Sequence, residues 1–363
     1  MWKDCKDEML RFLKENNEKR NVIVMPDFFH DRLISLDCDA ALFSAMIANV
    51  AKRKGGSIDG IAQTDMRGGN AVNTASALAA LDVKVTPIVC TNKFGFQQIK
   101  FYLKNYRARV DLSHVKIADK ASITTALELK TENGKANVMI RDLGALADFG
   151  PLDLTDRDYK LIENTDYVCL FNWAGTKEYG TTLAETVFRR AKAKVKGKTY
   201  YDTADPTPNR NKIPELMEKV LKTRQVDILS LNENEAICYA ALFNKSINEK
   251  QKKRRFNELA TEAARVLAKH LPARIDLHTT AFSATVTKKN EVVVPAFKVK
   301  ALRATGAGDA WNAGNILGDG NALSDECRLA LANAVSACYL SDSEGMHPTR
   351  HKLVKFIENA TKK

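Results

Sequence analysis

The sequence predicts an α/β protein whose largely parallel sheet is covered by helices on both faces. Three observations carry this. Short β-like runs alternate with helix-like stretches along most of the chain. The first of those runs, Val22-Ile23-Val24-Met25, is apolar without interruption, as a buried strand is. At 363 residues, 45% of them hydrophobic, the chain is long enough to bury a large core.

The elements follow in order. The strand at 22–25 leads into a long connection, 32–67. Within it Leu42, Phe43, Met46, Ile47 and Val50 have helical spacing. That helix fits either packing on the core or part of a cover over a substrate. Residues 70–81 carry small residues and leucines on one helical face, and 83–90 reads as a strand. Runs 122–130 and 135–141 flank Glu132-Asn133-Gly134, a hairpin signal. Strands at 167–171, 198–202 and 226–231 alternate with helices at 181–194 and 257–269. A second hairpin is expected at 285–294, around Lys289-Asn290. No repeat or low-complexity linker divides the chain. One domain over 1–363 is expected, with excursions at roughly 32–67 and 120–142 forming a lid.

Composition narrows the function classes. The net charge of +12 suits nucleic acid, an anionic surface or phosphate-bearing ligands, and does not choose among them. The most basic run, Lys250-Gln251-Lys252-Lys253-Arg254-Arg255, lacks flanking aromatics and reads as a solvated helix start, so nucleic acid is an unlikely partner class. No apolar stretch approaches a membrane span, and the acidic, helix-like start does not resemble a signal peptide. Seven scattered cysteines without a Cys-x-x-Cys pair fit reduced, buried thiols. A cytoplasmic location without membrane contact is the expectation.

The chemistry concentrates in Thr305-Gly306-Ala307-Gly308-Asp309, followed by the small-residue run Ala310-Trp311-Asn312-Ala313-Gly314. A small-residue turn opening a helix leaves backbone N–H groups free and adds the positive end of the helix dipole. Together these attract phosphate oxygens. A carboxylate there, Asp309, can take the proton of an attacking hydroxyl or merely cap the helix. No Gly-Lys-Ser/Thr follows, so the turn is not a Walker loop.

These residues resemble the second signature of the ribokinase-like (PfkB) carbohydrate kinases. Gly68-Gly69-Asn70-Ala71-Val72-Asn73-Thr74-Ala75 resembles the first, in the family's order and separation. The resemblance runs from about residue 21 onward. It implies a three-layer α/β/α fold with a mostly parallel central sheet and a small β-rich lid. It implies phosphoryl transfer from ATP (or ADP) with Mg2+ to a hydroxyl of a sugar or sugar-like molecule. Residue by residue, it assigns the general base to Asp309 and the anion hole to Gly306, Ala307 and Gly308. Substrate binding falls to Asp31, Gly68, Gly69 and Asn73, with Asn172 pointing toward substrate from a strand end. Nucleotide contacts fall to Asn232, Thr279, Gly306, Gly308 and Asn333. Glu235 would organise the metal indirectly, through water. A homodimer is among the arrangements the resemblance allows.

The chain departs from the family pattern at three places. The usual Asp-Thr before the glycine turn, near a monovalent-cation site, is replaced by Arg303-Ala304, and a guanidinium there can stand in for the ion. The usual Thr-x-Gly-x-x-Gly becomes Thr279-Thr280-Ala281-Phe282-Ser283-Ala284, which leaves the donor nucleotide open; His278 before it reads as structural. Pro26 stands where the first strand usually ends in glycine. A nucleoside or ribose-1-phosphate kinase, possibly using ADP, is the alternative enzyme. A non-catalytic ligand-binding regulator is the reading from another class.

Overall fold

The computed structural model describes residues 2–15, 20–132, 134–193, 197–247, 256–303 and 305–360. The basic run 250–255, Asn133 of the first hairpin turn and Ala304 lie outside these residues.

In chain order the helices are α1 (Trp2–Lys14), α2 (Ala40–Lys52), α3 (Asn70–Ala80), α4 (Lys93–Tyr102), α5 (Asp156–Asn164), α6 (Gly180–Ala193), α7 (Ile213–Leu216), α8 (Glu233–Ala240), α9 (Phe256–His270), α10 (Ala307–Gly320), α11 (Asp325–Leu340) and α12 (Arg350–Ala360). The strands are β1 (Asn21–Met25), β2 (Phe29–Ser35), β3 (Ala62–Gly68), β4 (Lys84–Pro87), β5 (Cys90–Thr91), β6 (Lys116–Ile117), β7 (Ser122–Thr131), β8 (Gly134–Asp142), β9 (Tyr167–Phe171), β10 (Lys198–Asp202), β11 (Ile228–Leu231), β12 (Arg274–His278), β13 (Phe282–Val286) and β14 (Glu291–Pro295).

Eight strands form the central sheet in the order β14-β13-β12-β11-β10-β9-β1-β4. All pair in parallel except β13 and β14, whose hairpin runs antiparallel at one edge. The apolar strands follow from burial on both faces. In β1, Ile23 and Met25 enter one apolar cluster, while Val22 and Val24 enter the other. In β9, Val168 and Leu170 face one way and Tyr167, Cys169 and Phe171 the other. A strand with water on neither side has no use for alternating polarity.

A second sheet, β3-β2-β7-β8, stands apart as a small mixed lid. Here the structure revises two expectations. Residues 32–67, expected as a long connection and lid excursion, begin and end in paired strands: β2 and β3 pair across seven positions, from Phe29 opposite Gly68 to Ser35 opposite Ala62. Between them α2 buries none of its residues, so its apolar face does not pack on the core. The single strand expected at 83–90 is two. Pro87 offers no N–H, the N–H of Ile88 makes the last bond to β1 at Val24 O (2.9 Å), and Cys90-Thr91 then pairs with β6 instead. All seven cysteines are free thiols. Among the described residues no helix is long and apolar enough to cross a membrane.

Candidate active site

The C-terminal ends of the parallel strands, the start of α3 and the start of α10 converge. α10 begins at Gly306, which holds φ +86°. Only glycine takes that angle freely, and a Cβ there would lie 2.7 Å from Tyr339 Oη. The next three N–H groups, of Ala307, Gly308 and Asp309, have no carbonyl ahead of them in the helix. They sit at the positive end of a 14-residue helix, where an anion is stabilised.

Asp309 does not cap its own helix. Its carboxyl is reached from α3: Asn70 Nδ2 donates to Oδ1 at 2.8 Å and Asn73 Nδ2 to Oδ2 at 3.0 Å. The group is buried, 5% exposed. Burial and the nearby carboxylates of Asp202 and Asp27 push its pKa up to about 8, against the opposing pull of the two amides. Asn73 is itself locked, because its Oδ1 accepts from Arg67 Nε at 2.9 Å. Arg67 Nη2 donates onward to His347 Nδ1 at 3.3 Å, so His347 carries its proton on Nε2 and stays neutral. Asn73 is thus the arm that orients Asp309, with both ends of its amide engaged.

The start of α3 is set by a residue that sequence reasoning missed. Asp27 is fully buried and accepts from the N–H groups of Asn70 (2.9 Å) and Ala71 (2.8 Å) and from Asn172 Nδ2 (2.8 Å). Burial raises its pKa. Asn172, with φ +52°, also accepts from Gly175 N at 3.0 Å, so its side chain supports Asp27 instead of standing free toward a ligand. Gly69 is likewise compelled. At φ +89°, a Cβ on it would meet Phe28 Cα at 2.8 Å. Of the two aspartates after the first strand, Asp27 positions the helix and Asp31 lies on the lid against Gly68.

Asp31 lies on lid strand β2 with its carboxyl directly over Gly68, where a Cβ would sit 2.2 Å from Asp31 Cγ. Thr124 of β7 bonds it and the Arg141 charge lies nearby, yet burial pushes its pKa up to about 6. Its Oδ1 is buried without a partner. A buried carboxylate oxygen without a partner is a free acceptor.

The nucleotide-side residues divide. Asn232 and Glu235 form a reciprocal cap on α8: Asn232 Oδ1 accepts from the N–H of Asn234 (2.9 Å) and Glu235 (3.0 Å), and Glu235 Oε2 accepts from Asn232 N (2.9 Å). Burial, then Asp202, Asp205 and Glu233, drive the Glu235 pKa up. Thr279 closes the β12–β13 turn, its hydroxyl donating to Phe282 O at 2.7 Å. Asn333 turns inward: Oδ1 accepts from Ser283 Oγ and Trp311 Nε1, both 2.9 Å, and Nδ2 donates to Pro295 O at 3.1 Å. It ties α11 to the edge hairpin. His278 stacks on Trp311, ring centroids 4.9 Å apart, against Gly308.

Behind the site, α10 presents a polar stripe to the sheet. Asn312 Nδ2 donates to Asp202 Oδ2 (2.7 Å), and its Oδ1 accepts from Tyr200 and Ser230 (2.7 Å each). Asn315 Nδ2 donates to Asp276 Oδ2 (2.9 Å), which also accepts from the buried Arg328 (3.0 Å). Asp319 accepts from Lys198 (2.7 Å), Arg274 and Tyr167. Positions 309, 312, 315 and 319 thus follow one face of the helix.

Residues 41–352 match the family described as pfkB family carbohydrate kinase. Solved structures share the fold at low identity. A ribokinase from Cryptococcus neoformans in complex with ADP aligns over 94% of this chain and 99% of its own, with TM-score 0.72 and 16% identity. An adenosine kinase from Sinorhizobium meliloti gives 0.69 and 18%, over 94% and 100%. An Arabidopsis thaliana ribokinase complexed with ribose and ATP gives 0.69 and 16%, over 94% and 99%. No curated protein sequence matches this chain.

Proposed function

The chain belongs to the pfkB family of carbohydrate kinases, and on that premise we propose that Asp309 is the base of an ATP-dependent phosphoryl transfer to a sugar or nucleoside hydroxyl. One observation carries the reading. A buried carboxyl with its pKa near 8 stands in the first turn of α10, aimed by two amides from the glycine-pair helix. A base of that strength is matched to a neutral operating pH.

The acceptor lies over Gly68 and donates a hydroxyl hydrogen bond to the unpartnered Oδ1 of Asp31. Asp309 takes the proton of the attacking hydroxyl as its oxygen bonds to the γ-phosphorus and the bond to the β-phosphate oxygen breaks. The N–H groups of Ala307, Gly308 and Asp309 hold the charge that spreads over the transferring group. Arg67, through Asn73, keeps the carboxyl turned to the attack line.

The residues fit magnesium carried on the nucleotide. Asp202, Asp205 and Glu233 lie close enough to add to burial in driving the Glu235 carboxyl up, and a cation would relieve the part that comes from charge. Magnesium bound there would neutralise phosphate charge, with Asn232 and Glu235 ordering its water. The lid sheet and the cleft beneath it form one substrate-covering unit of a single domain.

The test is phosphate transfer from ATP, with ADP in parallel, to a panel of sugars and nucleosides, with and without magnesium. A phosphorylated product formed by the wild type and lost in Asp309→Asn supports the reading. Product that persists in Asp309→Asn at near-normal rate refutes the assignment of the base. An arm in which ADP alone serves as donor refutes the ATP assignment.

A further inference from the structure

The stretch that leads into the catalytic turn carries a fixed positive charge. Arg303 donates from Nε (3.1 Å) and Nη2 (2.9 Å) to the carbonyl of Asp342, and from Nη2 (2.9 Å) to that of Ser343. Its guanidinium carbon lies 5.6 Å from the centroid of Tyr339. The loop after α11 is shaped to receive it. The Asp342 carboxylate gathers the N–H groups of Glu344 and Met346 (2.9 Å each), which turns the backbone carbonyls outward. Gly345 sits at φ +72°, and a Cβ there would come within 2.0 Å of Arg303 Nη1. The glycine leaves room for the guanidinium, and a side chain there would force its end to shift.

The arrangement connects directly to the anion hole. Leu302 N donates to Leu340 O at 2.8 Å, and Tyr339 Oη donates to Thr305 O at 3.2 Å. The same Tyr339 hydroxyl is what Gly306 must avoid with a hydrogen in place of a Cβ. Carbonyl oxygens converging beside a catalytic turn are the surroundings of a desolvated monovalent cation, and the resemblance places such an ion near this stretch. The residues present do not fit a free ion. The carbonyls of Asp342 and Ser343 already accept from a planar donor fork, which binds two such acceptors with little loss of freedom.

We infer that Arg303 is a positioning residue, a tethered cation that locks the 342–345 loop to the segment ahead of Gly306, so that turnover needs no free monovalent cation. This rests on the reading of Gly306 to Asp309 as the catalytic turn.

Two independent readouts test it. The first is thermal melting of the wild type, Arg303→Ala and Arg303→Lys in potassium, sodium and choline chloride at equal ionic strength. The wild type should melt at the same temperature in all three. Arg303→Ala should melt lower and recover with millimolar guanidinium or with potassium. The second is initial rate with the best acceptor. The wild type should be insensitive to the cation, and Arg303→Ala should lose about 10²-fold, the cost of an anion hole displaced by about 1 Å, mostly in kcat. Arg303→Lys, which keeps the charge and loses the fork, should fall between. Potassium activation or potassium-specific stabilisation of the wild type overturns the inference, as does an Arg303→Ala enzyme with unchanged rate and melting. If no acceptor is phosphorylated, the kinase reading fails and the melting series still decides the role of Arg303. If Arg303→Ala does not fold, the wild-type salt series and Arg303→Lys decide it.

Discussion

Asp309→Asn should abolish most turnover and at the same time stabilise the protein, and the two effects have one cause. In the unfolded chain the carboxyl titrates near 3.8, and in the folded protein near 8. Between those values the unfolded chain has released its proton while the folded protein keeps it. The stability this group contributes is therefore fully present below about pH 4 and is lost as pH rises through 8. At pH 7 the gap spans roughly three units at about 1.4 kcal/mol each, or about 4 kcal/mol as a ceiling. Relaxation of the site around a charged carboxylate brings this to about 2–4 kcal/mol. Asparagine is neutral throughout and escapes the penalty. Its geometry is also tolerable. Asn73 is fixed by Arg67, so the new carbonyl faces Asn73, while Asn70, whose side chain makes no other bond among the described residues, flips to accept from the new amide. For a chain of this length the gain corresponds to about 3–5 °C in Tm at pH 7, vanishing near pH 4. Turnover should fall about 10²–10⁴-fold. Calorimetric melting from pH 4 to 8 on both proteins is the assay. Parallel Tm curves would refute the buried, proton-holding carboxyl, and retained turnover would refute the base.

Other perturbations separate the parts of the site. Gly68→Ala places a methyl 2.2 Å from the Asp31 carboxyl and should raise the acceptor KM about tenfold or more with less change in the nucleotide KM. Because Asp31 titrates near 6 and accepts best when ionised, the wild-type acceptor KM should fall as pH rises from 5 to 7. Gly306→Ala combines a disfavoured φ with a 2.7 Å clash against Tyr339; steady-state kinetics should show kcat reduced about 10²-fold with folding intact by circular dichroism. Arg328→Ala takes one of two guanidinium partners from the buried Asp276 carboxylate, which keeps Arg274, and should cost about 1.5–3 kcal/mol in urea unfolding, with Arg328→Met costing less.

Much of the frame was legible because it follows from local rules. The strand at 167–171 is an apolar and aromatic run and that at 198–202 centres on two tyrosines, both between helical stretches, and their limits fall where the sequence put them. The two glycine motifs were legible because glycine is demanded by backbone angle and close approach, which leave a mark in sequence. What was hidden depends on partners far along the chain. Asp27 and Asp31 look alike four residues apart, and only the fold shows that one meets Asn70 and Asn172 while the other overhangs Gly68. Asn333 shows nothing in sequence of its bonds to Ser283, Trp311 and Pro295, which come from β13, α10 and β14. Arg67 could not have been chosen at all, since its role runs through Asn73 and His347, and the latter lies 280 positions away. The helix at 40–52 was visible by period, but period says nothing about whether an apolar face is covered.

The polar stripe on α10 restricts what this enzyme can move. A helix seated on aliphatic side chains can slide or roll by small steps at modest cost, because one methyl replaces another. Here a roll of one residue would withdraw Asn312 from Asp202, Asn315 from Asp276 and Asp319 from three donors together. Intermediate settings leave buried charges and amides without partners, each a cost of kilocalories. The helix is indexed, with one permitted angle and one permitted height. Asp309 inherits that index and is as stationary as the sheet. On the proposed mechanism the acceptor must therefore be brought to a proton acceptor that does not come to meet it.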